Sequence, residues 1–304
     1  MLNGVIVINK RENITSTRVV ERVKRALKVK KAGHLGTLDP MAKGVLPICV
    51  GKATKLAPFL MEHEKEYLAT VKLGISTDTY DREGEVLKET PVGEVSASEV
   101  EEILTRFRGE IEQIPPMYSA QRHQGERLYK LARKGEVVER APKKVVVHRL
   151  DLIKIEGDLL YLSICCGKGF YLRTLAHDIG ELLGVGGTLW DLVRTAACRF
   201  TLDESIGLDE LKNLPPEERS RWVIPMADAL KGAAEIRVSG RLKWWVSSGN
   251  PIATSPAELG VDEPASGDLV KLVDEDGRLV ALGELFLSPQ ERWFCKPKRV
   301  FNSQ

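Results

Sequence analysis

Two periodicities organise this chain. Val5 to Asn9 and Val45 to Val50 are short apolar runs that read as strands, and Tyr67 to Leu73 alternates apolar and polar positions as a strand does. Val145 to Ile155 and Leu159 to Cys166 are also strand-like. After Thr15 and Ser16, either of which can cap a helix, the period changes: Val19, Val20, Val23, Ala26 and Leu27 share one helical face. Ala53 to Met61 predicts a short helix. Ser96-Ala97-Ser98-Glu99 forms a capping box before a helix from Glu99 to Phe107, with Gly109 as its stop. Arg127 to Lys134 closed by Gly135, and Tyr171 to Leu183 closed by Gly184, are further helices. Strands dominate and the helices fall irregularly among them, so the expected class is α+β rather than a doubly wound fold.

The texture changes near the C-terminal end. Pro215-Pro216 begins a polar, turn-rich connection, and after about Ala233 the pattern becomes mostly β. Leu269 to Val273 and Leu279 to Leu282 flank Asp274-Glu275-Asp276-Gly277-Arg278, a strong hairpin signal. The expected division is a large domain over residues 1–232 and a small β-rich domain over 233–304.

Composition narrows the class. An apolar fraction of 43% in 304 residues is ample for a core. No run reaches the roughly 18 apolar residues of a membrane helix, and the first ten residues lack a signal-peptide layout. The cysteines, Cys49, Cys165, Cys166, Cys198 and Cys295, are odd in number and form no CxxC. They are expected to be buried thiols in a reducing cytoplasm, and neither metal-ligand spacing nor a dinucleotide fingerprint is present. The net charge is only +2, but its distribution is uneven. Arg18, Arg22, Lys24, Arg25, Lys28, Lys30 and Lys31 crowd the first helix against Glu21 alone. That face reads either as solvated or as a phosphate-binding surface.

The chemistry concentrates in Gly33-His34-Leu35-Gly36-Thr37-Leu38-Asp39-Pro40-Met41-Ala42-Lys43-Gly44-Val45-Leu46-Pro47. Its glycines permit tight bends, and the proline after Asp39 restricts the backbone there. Taken alone, this window reads equally as an ordinary turn with a surface Asp and as a site. Three other clusters stand out. Gln113 to Tyr129 is a long polar loop with Tyr118, either a ligand-binding segment or a rigid Pro-Pro surface loop. Gly167-Lys168-Gly169-Phe170-Tyr171-Leu172-Arg173 joins a strand to a helix, a natural anion site or a simple turn with a paired Arg. Leu192-Val193-Arg194 places an Arg in an apolar context, where a buried, paired Arg is the plain alternative.

Together these clusters resemble the TruB-type pseudouridine synthases. The resemblance rests on Gly33 to Pro40 with Gly44-Val45-Leu46-Pro47, and on the spacings to Tyr67, to Pro116-Met117-Tyr118-Ser119-Ala120 and to Gly169 to Arg173. It runs from about residue 3 to the C-terminus and is weaker in the last part, which resembles a PUA-like RNA-binding domain. The family usually opens with Lys-Pro-x-Gly-x-Thr-Ser, where this chain has Lys10-Arg11-Glu12-Asn13-Ile14-Thr15-Ser16. Asn tolerates positive φ better than most residues, so the turn is expected to survive.

The resemblance implies a pseudouridine synthase fold, with a mixed, largely antiparallel sheet and flanking helices. It implies isomerisation of uridine to pseudouridine at position 55, in the T-loop of tRNA, without a cofactor, metal, membrane or protein partner. Asp39 is implied as nucleophile, attacking C1′ or first deprotonating C2′, and Arg173 as the guanidinium that keeps it ionised. Tyr67 is expected to stack on the flipped uracil, with a hydroxyl placed to help remove the C5 proton. The resemblance further implies that Leu192 packs on the ring, that His34 enters the RNA loop, and that Lys10 and Tyr171 support the pocket. Arg194, Tyr118, Lys168, Arg22 and Arg25 complete the expected RNA-binding set. His63, His123, His148 and His177 read as structural or surface residues. Two other activities fit the same residues: a tRNA-folding module with isomerisation secondary, and a guide-RNA-dependent synthase.

Overall fold

The computed structural model describes residues 2–119 and 121–301, the side chains of residues 122, 123 and 133 excepted. Ala120 and the side chain of His123 therefore lie outside the described residues. The first strand, β1 (Gly4–Lys10), leads into helix α1 (Ser16–Ala26), a short strand β2 (Ala32–His34), β3 (Lys43–Val50) and β4 (Lys65–Leu73). Among the described residues these belong to an 11-stranded sheet. Along its main path, Ile206–Gly207 pairs β1, followed by β3, Gly187–Ala197, β4, Leu159–Cys166, Lys143–Glu156 and Gly109–Gln113. The β1–Ile206 and β3–Gly187 pairings are parallel and the others along this path antiparallel. The fold is therefore α+β with a mixed, largely antiparallel sheet.

Burial explains why the strands differ in pattern. In β1, Ile6 and Ile8 face one core cluster while Val5 and Val7 face another. In β3, Leu46, Ile48 and Val50 face the first and Val45 and Cys49 the second. A strand covered on both faces reads as a continuous apolar run. One side is closed by Val19, Val20 and Val23 of α1 and by Leu172, Leu175, Ala176 and Ile179 of the helix Leu172–Leu182. The other is closed by Ala53, Leu56 and Leu60, from a 3₁₀ turn (Gly51–Leu56) and a helical turn (Ala57–Leu60) where the sequence predicts one short helix. By contrast β4 is wet on one face: Tyr67, Ala69, Val71 and Leu73 are buried while Glu66 and Leu68 are exposed, hence its strict alternation.

The predicted helices form with shifted ends. Thr15, not Ser16, caps α1, accepting from the Arg18 N–H. Ser96 caps the helix Ala97–Thr105, accepting from Glu99, and the residues up to Phe107 lie in turns. Gly180 lets the helix Leu172–Leu182 meet the next strand at close range, since a Cβ there would lie 2.0 Å from the Gly187 nitrogen. A second, five-stranded sheet spans Ala234–Arg237 to Trp293–Val300 and contains the predicted hairpin, whose Asp274 carboxylate accepts from the N–H groups of Asp276 and Arg278. Val273, Leu279, Leu282 and Phe301 pack in one apolar cluster with Val5, Leu35 and Phe200, joining the two sheets. All the cysteines are free and buried, as expected. Among the described residues no helix is long and apolar enough to cross a membrane.

Candidate active site

The loop between β2 and β3 is pinned along its length by buried side chains from distant parts of the chain. The Ser16 hydroxyl donates to the Leu38 carbonyl and accepts from the Leu38 N–H, each at 2.9 Å. The Lys10 ammonium donates to the carbonyls of Pro40 (3.0 Å) and Ala42 (2.5 Å). Arg194 donates to the carbonyls of Gly36, Thr37 and Val45 at 3.1, 3.3 and 2.8 Å. Gly44 is required where the loop enters β3: its φ is +102°, and a Cβ would sit 2.2 Å from the Arg194 carbonyl oxygen. Asn13 adopts φ 62° and its N–H donates to Pro40, so the turn survives the exchange of Gly for Asn.

Held this way, Asp39 points at Arg173. Arg173 Nε lies 2.9 Å from Asp39 Oδ2, and Nη2 lies 3.4 Å from Oδ1. Arg173 stands in the first turn of the helix Leu172–Leu182 and also donates to the carbonyls of Tyr118 (2.8 Å) and Thr79 (3.2 Å). Gln113 fixes that helix start by a reciprocal pair, its amide accepting from the Tyr171 N–H and donating to the Tyr171 carbonyl. Arg173 has a second acidic neighbour that the sequence reading missed: Asp81 Oδ2 lies 3.6 Å from Nε. Asp81 is buried and accepts from the Thr79 hydroxyl (2.7 Å) and the Glu83 N–H. Burial raises its carboxyl pKa, opposed by the Thr79 hydrogen bond and by Arg173.

A cleft of about 520 Å³ opens over this pair. It brings together Asp39, Tyr67, Tyr118, Lys168, Tyr171, Arg173, Leu192 and Arg194, eight of the expected residues. Lys168 sits at the exposed mouth and is paired with Glu62 at 2.6 Å. Tyr67 is buried, and burial pushes its phenol up to about 12 against a hydrogen bond from Arg194. Lys10 lies behind the loop rather than in the cleft, and burial lowers its ammonium pKa to about 8 despite the opposing pull of Asp39. His34 also stands outside the lining, half-buried on β2, where burial and the Arg194 charge lower its pKa; its Nδ1 meets no partner among the described residues. Arg22 and Arg25 border a different cleft, with Leu208, Lys212 and Arg219. His177, expected to be structural, stacks on Tyr80 with ring centroids 3.9 Å apart, next to Asp81.

The chain is similar to known proteins along most of its length. Residues 24–172 match a family model described as "TruB family pseudouridylate synthase (N terminal domain)", and 173–231 match "tRNA pseudouridylate synthase B C-terminal domain". A "tRNA pseudouridine synthase B" of Clostridium tetani (strain Massachusetts / E88) is 41% identical over 93% of this chain and 96% of its own length. One of Pseudomonas fluorescens (strain Pf0-1) is 40% identical over 100% and 97%. The solved "Cbf5-Nop10-Gar1 Complex" contains a chain 27% identical with a TM-score of 0.74, matched over 98% of this chain and 85% of that one. The chain thus belongs to the TruB family of tRNA pseudouridine synthases, isomerases that convert uridine to pseudouridine in tRNA.

Proposed function

We propose that the protein isomerises the uridine at position 55 in the T-loop of tRNA, with Asp39 as nucleophile. The observation that carries this reading is the Asp39–Arg173 pair at 2.9 Å, on a pinned loop at the base of a cleft large enough for one nucleotide. The target nucleotide leaves its stack and enters this cleft, since no carboxylate reaches C1′ inside a paired loop. Tyr67 and Leu192 present apolar faces to the uracil, and an aromatic stack contributes about 1–3 kcal/mol. The Arg173 guanidinium pairs with Asp39 without occupying the whole of its carboxylate, whose side chain stays 35% exposed. Asp39 attacks C1′ or takes the C2′ proton, the N1–C1′ bond breaks and the uracil turns; C5 then bonds C1′ as Asp39 leaves C1′ or returns the proton to C2′, and C5 loses its proton while N1 gains one.

His34 enters the T-loop, where a neutral ring suits stacking among bases. Arg22 and Arg25 neutralise backbone phosphates. Residues 233–304 form a PUA-like RNA-binding domain, and residues 1–232 the catalytic one. The protein works in the cytoplasm and without a guide RNA or protein partner, as fits an identity of 41% to a tRNA pseudouridine synthase B against 27% to a chain of the Cbf5 complex. Incubation with an unmodified tRNA transcript, followed by mapping of pseudouridine, tests the reading. Pseudouridine at position 55 alone supports it; modification elsewhere, or a requirement for added guide RNA, contradicts it.

A further inference from the structure

The floor of the cleft holds a charged group to which the Asp39 chemistry gives no part. Lys65 precedes Tyr67 by two residues on β4 and so shares its face. It is 8% exposed and lines the cleft. Its ammonium donates to the His63 carbonyl at 3.2 Å, and among the described residues it forms no ion pair. Two neighbouring cations are already matched, Arg173 with Asp39 and Asp81 and Lys168 with Glu62. Lys65 and Arg194 instead both approach Gly36 at the cleft wall, where a Cβ would meet Arg194 Nη1 at 3.5 Å and Lys65 Cε at 3.6 Å. Burial lowers the Lys65 pKa, as it does for a cation withdrawn from water.

We propose that Lys65 is a catalytic residue: its ammonium donates to a carbonyl oxygen of the target uracil and takes up the negative charge of the detached base. This rests on the reading of Asp39 as nucleophile. When N1–C1′ breaks, the electron pair of the bond stays on N1. C1′ bonds an Asp39 oxygen, or C2′ gives its proton to Asp39 and a C1′=C2′ double bond forms. On either route the uracil leaves as an anion, its charge shared among N1, O2 and O4. It turns, and C5 bonds C1′ as the Asp39–C1′ bond breaks or, on the second route, as Asp39 returns the proton to C2′; C5 then loses its proton and N1 takes one up. A charged donor fixed beforehand in a dry site stabilises such a charge far more than water does. The floor position selects a base oxygen over a phosphate, whose strongly hydrated oxygens belong at the mouth, where Lys168 stands.

The test is Lys65→Met, which keeps the aliphatic stem, in single-turnover cleavage of the glycosidic bond. The substrates are tRNA transcripts carrying uridine or 5-fluorouridine at the target position. Fluorine stabilises the detached anion, so that substrate depends less on Lys65. The expected loss with uridine is about 100-fold. The loss with 5-fluorouridine is at least about fivefold smaller, tRNA affinity is unchanged within about threefold, and Lys65→Arg keeps most of the rate because the charge remains. Equal losses with both bases overturn the proposal, as does weaker binding at an unchanged rate, the signature of a phosphate contact. If Lys65→Met does not fold by circular dichroism, the same two-substrate comparison of Lys65→Arg with Lys65→Gln decides. Normal turnover by Asp39→Asn would remove the parent reading instead.

Discussion

Arg173 meets Asp39 with the edge of its guanidinium, Nε to Oδ2 at 2.9 Å and Nη2 to Oδ1 at 3.4 Å, while Asp81 approaches the same Nε at 3.6 Å. One cation therefore serves two carboxylates, one partly open to the cleft and one buried. On the proposed reading, Asp81 holds Arg173 in place and Asp39 is left to react.

That division predicts the effect of Asp81→Asn. The amide keeps the shape and the Thr79 contact but loses the charge that steadies Arg173. Single-turnover isomerisation is expected to fall about 10- to 100-fold with tRNA affinity unchanged, in the range of a misplaced catalytic group. A rate within twofold of the native protein would show that Arg173 needs no second carboxylate.

Asp81 also marks where the sequence ran out. It sits in the polar stretch Thr77-Asp78-Thr79-Tyr80-Asp81, where nothing local points to its partner, because Arg173 lies on a helix far along the chain. The strand Gly187–Ala197, which carries Leu192 and Arg194, was invisible for another reason. Its pairing with β4 shifts register between Leu189 and Asp191 and between Arg194 and Ala196, which breaks the two-residue period. What was legible was local: the alternation of β4, the α1 stripe and the 269–282 hairpin. The pinning of the Asp39 loop was not, since Ser16, Lys10 and Arg194 act on it only through the tertiary fold.

Tyr67 separates stacking from proton transfer. Its phenol, pushed up to about 12, is protonated at neutral pH and accepts from Arg194, so it helps remove the C5 proton only by passing its own proton on. Tyr67→Phe keeps the ring and loses the hydroxyl. We expect tRNA binding to hold and turnover to drop about 10²-fold or more, the usual contribution of a positioned proton-transfer group. Normal release of tritium from C5-labelled uridine would assign C5 deprotonation to another group.

Lys10 links the site to pH. Its folded pKa of about 8 lies below the ordinary value of 10.5, so between these pH values the unfolded chain binds more protons and the fold gains stability as pH rises. The penalty for burying the charge is complete below pH 8. Lys10→Met removes it. The stability of the native protein minus that of Lys10→Met, from urea unfolding, is expected to rise between pH 8 and 10; a flat difference contradicts the assignment. Activity of Lys10→Met is expected to fall, since the carbonyls of Pro40 and Ala42 lose their donor.

Arg22 and Arg25 are exposed on α1, away from the cleft. Reversing both charges is expected to lower the magnitude of the slope of log affinity for tRNA against log salt by about two. An unchanged slope makes that face a solvated one.

The nucleophile assignment is the centre of the account, and Asp39→Asn tests it most directly. The substitution is nearly isosteric and leaves the loop contacts of Ser16, Lys10 and Arg194 in place, because all three reach backbone atoms. In a single-turnover assay of pseudouridine formation on a tRNA transcript, the account predicts no product above background, with tRNA affinity within about tenfold of the native protein, because the phosphate contacts that dominate affinity are untouched. Product formation at a rate near that of the native protein would contradict it.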